Sequence, residues 1–156
     1  MKRAPFALRP FVAADLEAIQ DLWVAAWRTT GIAVDFEARR GWLADHLANL
    51  ALSGVVILIG SDDSGAPMGF VTLDPASGYL DQLCVAPHAQ GSGLARALID
   101  EAKRRGPGVV ELSVNEANPR ARRFYEREGF EVVGAGVSAL SGLAVTHMRW
   151  RNAAAD

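Results

Sequence analysis

The chain reads as an α/β (α+β) fold, a mixed, mostly antiparallel twisted sheet of six to seven strands with helices on both faces. Three observations predict this. Between residues 55 and 85, short apolar runs alternate with Asp-, Ser- and Gly-rich turns, which is hairpin chemistry. From Tyr79 to Asn115 a strand, a helix-period segment and another strand follow one another. Such a crossover is right-handed. Finally, Asn118-Pro119 opens one more helix before two last strands. The resulting order is β-α-α-β-β-β-α-β-α-β-β.

The elements are expected as follows. Phe6 to Phe11 forms a short first strand. Asp15 caps a helix over about Leu16 to Thr29, with Leu16, Ile19, Leu22, Trp23 and Ala26 on its apolar side. A second helix runs from near Asp35 to Leu52, carrying Phe36, Trp42, Leu43, His46, Leu47 and Leu50, and Gly54 closes it. The β-branched run Val55 to Gly60 is a buried strand, and Met68 to Leu73 returns beside it. The next strand is Tyr79 to Val85, ended by Pro87. Leu94, Ala97, Leu98 and Ala102 line one face of the helix that follows. Lys103, Arg104 and Arg105 fill its last turn, and Gly106 is read as its left-handed stop. Gly108 to Asn115 is a strand. The Asn118-capped helix runs to about Glu128 and Gly129 stops it. Phe130 to Gly134 and Leu143 to Arg151 are the last strands, with Gly134 to Gly142 a loop or bulge between them.

A chain of 156 residues, half of them hydrophobic, supports one core, so residues 1–151 are read as one domain and 152–156 as a frayed tail. A formal net charge of -2 argues against a dedicated nucleic-acid partner. Apolar runs such as Val55 to Ile59 are far short of the ~18 residues of a membrane span. The N-terminal segment, broken by Pro5, Arg9 and Pro10, has no signal-peptide core. The single cysteine, Cys84, sits inside an apolar strand and is read as a small, reduced core residue. A cytoplasmic protein is expected. His46, His88 and His147 show no metal-ligand spacing, so no metal is expected.

The chemistry concentrates in two stretches. In the first, Gln90-Gly91-Ser92-Gly93-Leu94-Ala95 runs from a strand directly into a helix. Helix-start amides lack intrahelical partners and carry the positive end of the dipole, and glycine leaves room for an anion to approach. The loop is therefore either a phosphate cradle or an ordinary tight connection. It is not a Walker loop, and Arg96 occupies the position where a dinucleotide fingerprint needs its third glycine. In the second, Ala121 and Tyr125 share a helix face, so the small alanine leaves space beside the phenol. Tyr125 either packs with its hydroxyl at the surface or donates a proton to a leaving group of similar basicity.

Together, the two stretches resemble the GNAT superfamily of acetyl-CoA-dependent N-acyltransferases. Gln90, Gly93 and Ala95 fit that family's [RQ]xxGx[GA] loop, and Asn118, Ala121, Phe124, Tyr125, Gly129 and Phe130 fit its later motif. The resemblance is clearest over Met68 to Val133. It implies that acetyl-CoA lies with its pyrophosphate on the amides of Gln90, Gly91, Ser92, Gly93, Leu94 and Ala95. The pantetheine arm would follow the backbone of Leu83, Cys84 and Val85, one of whose N–H groups polarises the thioester carbonyl. Asn118 would bind the arm beside Ala121, and Tyr125 would protonate the departing thiolate. Arg96, or an arginine of the Arg120, Arg122, Arg123 and Arg127 cluster, is a candidate for the 3′-phosphate.

An amine acceptor must lose a proton before it attacks. Asp81 is the candidate base, with Glu111 and Ser113 as alternatives. Asp81 is also readable as a polar residue bonded to a neighbouring loop. Tyr79, on the same face, stands where some family members carry glutamate, and this departure leaves the base open. Trp27 and Trp42 are candidate acceptor-binding residues, beside Tyr79. The expected partners are a small-molecule or peptide amine and, at most, a second copy of the chain. Two other functions remain open: a non-catalytic CoA- or partner-binding module of the same fold, and a nucleotide-binding regulator.

Overall fold

The structure, a computed structural model, describes residues 6–139 and 141–153; the last three residues of the expected tail lie outside it. Its strands are β1 (Ala7–Pro10), β2 (Val56–Ser61), β3 (Pro67–Leu73), β4 (Leu80–Val85), β5 (Val109–Asn115), β6 (Glu131–Val137) and β7 (Ala144–Arg151). Its helices are α1 (Leu16–Arg28), α2 (Arg40–Leu52), α3 (Leu94–Arg105) and α4 (Pro119–Arg127). The order is the one expected.

The sheet is divided rather than continuous. Strands β1-β2-β3-β4 form one antiparallel unit and β5-β7-β6 another. The two meet through a parallel bridge between Tyr79 and Glu111, where the Glu111 N–H donates to the Gly78 carbonyl at 3.0 Å. Tyr79, expected as the first residue of β4, is therefore the hinge point of a V. Beyond it β4 and β5 part, and the gap becomes a cleft.

Four local expectations are corrected. Asp15 does not cap α1 with its side chain. It accepts from Arg9 in a bidentate pair at 2.8 Å and from the Val12 N–H at 2.9 Å, tying β1 to the entry of the helix. Those donors, the Arg9 guanidinium first, hold its carboxyl below the usual range against the opposing effect of burial. Gly106 ends α3 in extended conformation, with its N–H donating to the Ala102 carbonyl, so its left-handed freedom is not used. Residues 35–39 are not the start of one long helix: Glu37–Arg39 form a 3-10 turn ahead of α2. Finally, β6 continues through Gly134 and Gly136 to Val137, with a bulge between Val132 and Gly134. A side chain at Gly136 would meet the His147 ring at 2.7 Å, so the glycines that resemble a loop make room for an imidazole.

The core explains where α3 sits. Leu94, fully buried at the start of α3, lies against β2 and β3. A Cβ at Gly60 would come within 2.4 Å of Leu94, and one at Gly69 within 2.7 Å of the Cys84 carbonyl oxygen. The two bare positions let the helix start sink into the sheet beside β4. That seating carries the preceding loop to the mouth of the cleft.

Candidate active site

The loop before α3 is held open by its backbone. Gly91 (φ 81°) and Gly93 (φ 91°) are both left-handed, a conformation that costs other residues about 1–2 kcal/mol each. Nothing lies within 4 Å of the space a Cβ would take at either. The N–H groups of Gly91, Gly93, Ala95 and Arg96 have no acceptor among the described residues. The Ser92 hydroxyl accepts from the Leu94 N–H at 3.3 Å, so that amide is already used. Arg120 donates to the Gln90 side-chain oxygen at 2.6 Å, which pins α4 to the loop.

β4 supplies the cleft edge. The Ala86 N–H donates to the Met68 carbonyl, and the antiparallel register pairs Cys84 with Phe70. Alternation in such a ladder turns the peptide groups of Leu83 and Val85 away from β3, toward the gap. Cys84 is buried, and burial pushes its thiol up to about 12, which keeps it protonated and inert. Upstream, a β-bulge sets Asp81 and Gln82 opposite Thr72, whose hydroxyl accepts from the Gln82 N–H at 2.9 Å.

α4 is fastened at both ends. The Asn118 side-chain oxygen caps it by accepting from the Ala121 N–H at 3.2 Å. At the other end the Gly129 N–H reaches the Glu126 carbonyl and the Phe130 N–H the Tyr125 carbonyl, with Gly129 left-handed: a Schellman stop. Its usual apolar contact is made by the Phe130 ring, 5.5 Å from that of Tyr125, while Phe124 packs on Tyr125 at 5.2 Å. The phenol is thus clamped, only 8% exposed, and burial drives its pKa upward. It stays protonated well above neutral pH.

Two cavities occupy the gap. The first, about 430 Å³, is lined by the loop, by Leu83, Cys84 and Val85, and by Arg96, Arg120 and Arg127. The second, about 470 Å³, is lined by Trp27, Phe36, Trp42 and Tyr79, by Asp81 and His46, and by Ser113 and His147. Trp27, Leu83, Asn118, Ala121 and Tyr125 border both. The cavities therefore meet where the phenol lies beside the splayed strand.

The second cavity contains what the sequence did not reveal. Asp81 is not free: its Oδ2 lies 2.5 Å from His46 Nε2, with the His46 ring stacked on Trp42 at 4.5 Å. Across the cavity, Ser113 Oγ and His147 Nδ1 are 2.7 Å apart. Glu111, an expected alternative base, instead pairs with Arg149 at 2.8 Å and does not line the cavity. Trp23 belongs to the core, whereas Trp27, four residues on, borders both cavities and stacks on Phe36 at 5.1 Å. In the basic cluster of α4, Arg122 pairs with Glu126 at 2.8 Å, as a solvated face would. Among the described residues no three His, Cys, Asp or Glu side chains are grouped to hold a metal ion, and no helix is long and apolar enough to cross a membrane.

Comparison with known proteins identifies the family. The profile described as Acetyltransferase (GNAT) domain matches residues 28–152. The chain is 31% identical over 114 residues to a peptidyl-lysine N-acetyltransferase, YjaB, of Salmonella typhimurium, covering 71% of this chain and 76% of that protein. It is 43% identical over 83 residues to a mycothiol acetyltransferase of Beutenbergia cavernae, covering 49% of this chain but 28% of that protein. It thus spans little more than a quarter of the latter relative's length. Among solved structures, a GCN5-related N-acetyltransferase from Rhodopseudomonas palustris superposes with a TM-score of 0.76 at 26% identity, over 97% of this chain and 98% of that one. Apo YjaB from Escherichia coli shares the fold, with a TM-score of 0.76 at 23% identity over 95% and 99% of the two chains. A divided sheet, a glycine loop with unpaired amides and a clamped tyrosine between two cavities are thus the local features of a chain that belongs to the GNAT acetyltransferase family.

Proposed function

We propose that the chain carries the acetyl group of acetyl-CoA from the first cavity to a primary amine in the second, by direct attack and without a covalent enzyme intermediate. Acetyl transfer from acetyl-CoA to an amine is the activity of the family to which it belongs. The observation that carries the reading is the shared border of the cavities, at Leu83 and Tyr125.

The residues present fit the coenzyme. The unpaired amides of Gly91, Gly93, Ala95 and Arg96 suit a pyrophosphate, with Arg96, Arg120 and Arg127 nearby for further phosphate charge. The outward peptide groups of Leu83 and Val85 offer a strand edge to the amides of a pantetheine arm. Asn118, its oxygen occupied by the cap, has its amide NH2 left to donate. When bound, the coenzyme supplies an already activated thioester. The chain's own part is to orient, to stabilise charge and to move protons. A Leu83 or Val85 N–H would stabilise the negative charge that the thioester oxygen gains. Tyr125, kept neutral by burial, hands its proton to the sulfur as the carbon–sulfur bond breaks.

The acceptor follows from the charge of the second cavity. Among the described residues Asp81 is the one Asp or Glu lining it, and no Lys or Arg does so. An ammonium group finds a counter-charge there, whereas a carboxylate on the same molecule finds none. Trp27, Phe36, Trp42 and Tyr79 surround the rest with aromatic surface. The acceptor is accordingly an amine on an alkyl or aryl body with no neighbouring carboxylate. A lysine side chain within a peptide fits, and so does a small arylalkylamine. The relatives named for peptidyl-lysine acetylation support the first.

Thiol release from acetyl-CoA tests the reading. Release should exceed hydrolysis with a blocked lysine or with phenylethylamine, and be weaker with free α-amino acids. If no amine raises release above hydrolysis while acetyl-CoA still binds, the chain is a binding module and the proposal fails.

A further inference from the structure

We infer that His46 is the group that takes the proton from the acceptor amine, and that Asp81 is the residue that positions it. The inference rests on the proposed acetyl transfer and assigns its unassigned step.

The geometry carries it. An ionised carboxylate only accepts hydrogen bonds, so the 2.5 Å contact places the imidazole proton on Nε2. That leaves the lone pair on Nδ1, for which no hydrogen-bond partner exists among the described residues. Trp42 fixes the ring plane from one face, with 15° between the two ring planes. Both members are about three-quarters buried, at 25% and 24% side-chain exposure, so the pair opens on the cavity without being bathed in solvent. A histidine is the side chain best suited to exchanging protons near neutral pH, and a carboxylate behind it stabilises the imidazolium that forms. The carboxylate by itself would be a weak base toward an ammonium ion.

The other titratable groups facing this cavity are few. Tyr79 lies beside Asp81, His147 stands on the opposite wall hydrogen-bonded to Ser113, and Tyr125 is at the border with the coenzyme cavity. Among the described residues no lysine or arginine lines the cavity to oppose a positive charge on His46. Protons balance as follows. One ammonium N–H bond breaks and its proton goes to His46. The neutral nitrogen then attacks, the carbon–nitrogen bond forms and the carbon–sulfur bond breaks. Tyr125 gives one proton to sulfur and regains one, through solvent, from the nitrogen. The net proton released is the one His46 passes to water.

The test compares wild type, His46→Gln, His46→Ala and Asp81→Asn, with acetyl-CoA and a blocked lysine or phenylethylamine as acceptor. Expected for His46→Gln is a loss of about a hundredfold in kcat, within the range for a general base, at unchanged acetyl-CoA affinity. Its kcat/KM should also lose the limb that falls toward acid pH. Added imidazole should restore turnover to His46→Ala, which a merely structural role would not allow. Asp81→Asn should keep that limb but move it and lower kcat less. If His46→Gln keeps the limb and Asp81→Asn abolishes it, Asp81 is the base and the inference is overturned. Wild-type turnover that neither variant changes overturns it too, while leaving acetyl transfer intact. Absence of wild-type turnover with every amine removes the transfer reading and this one with it.

Discussion

The two cavities on either side of Tyr125 are built from different materials. The proposed coenzyme side is made mostly of backbone: amides in a six-residue loop, the turned-out edge of β4, and a few arginines around them. The proposed acceptor side is made of side chains delivered by α1, α2, β4, β5, α4, β6 and β7 and the loops between them. The first is contiguous in the chain and uses the same groups every residue carries, so glycine placement is most of its code. The second exists only after seven elements converge, and its charge depends on single substitutions. A protein built this way can keep its donor while its acceptor changes.

That contrast can be broken in stages. The largest effect should come from Tyr125→Phe, which sits on the border. A drop in kcat of about a hundredfold is expected, with acetyl-CoA affinity by calorimetry unchanged. Equal turnover would take the phenol out of the reaction. Asp15→Ala touches neither cavity and serves as the contrast between folding and function. It removes charge-assisted bonds to Arg9 and Val12, and should cost about 2 kcal/mol in denaturant unfolding without moving either substrate's binding. Because the folded carboxyl titrates below its unfolded value, that contribution is present above the ordinary carboxylate range and lost as pH falls through the folded pKa. Wild type and variant should therefore converge in acid, and a gap that widened there would contradict the assignment.

Gly93→Val tests the backbone side alone. Forcing a β-branched residue to φ 91° should weaken acetyl-CoA binding about tenfold, from a strain of ~1–2 kcal/mol, and leave the acceptor KM alone. Trp42→Ala tests the side-chain side. It removes the aromatic wall and the brace under His46, and should raise the KM of an arylalkylamine severalfold, for ~1 kcal/mol of aromatic contact, with acetyl-CoA affinity untouched. If either variant disturbed both substrates equally, the two halves would not be separable as described.

Legibility followed the same line. Gln90 to Arg96, Asn118 and Tyr125 could be picked out because helix starts, caps and i, i+4 neighbours are local relations. The His46–Asp81 pair spans 35 residues and the Ser113–His147 pair 34, so no spacing rule reaches them. One signal was available in hindsight. Gly134 and Gly136 interrupt a strand, and bare positions in a strand mark a close approach, here by the His147 ring. Asp15 was misread because an acidic residue before a helix is an ordinary cap, whereas Arg9 offers two stronger donors from a different strand.

By itself the sequence determined the element order, the anion-ready loop and the tyrosine helix, because each rests on periodicity, glycine freedom or capping within a few residues. Tertiary structure alone decided that the sheet splits at Tyr79 and Glu111, that Leu94 seats the loop against Gly60 and Gly69, and that an imidazole meets the one carboxylate that, among the described residues, lines the second cavity. Those are contacts between segments far apart in the chain. Their chemistry is set by which side chains packing brings within hydrogen-bond reach.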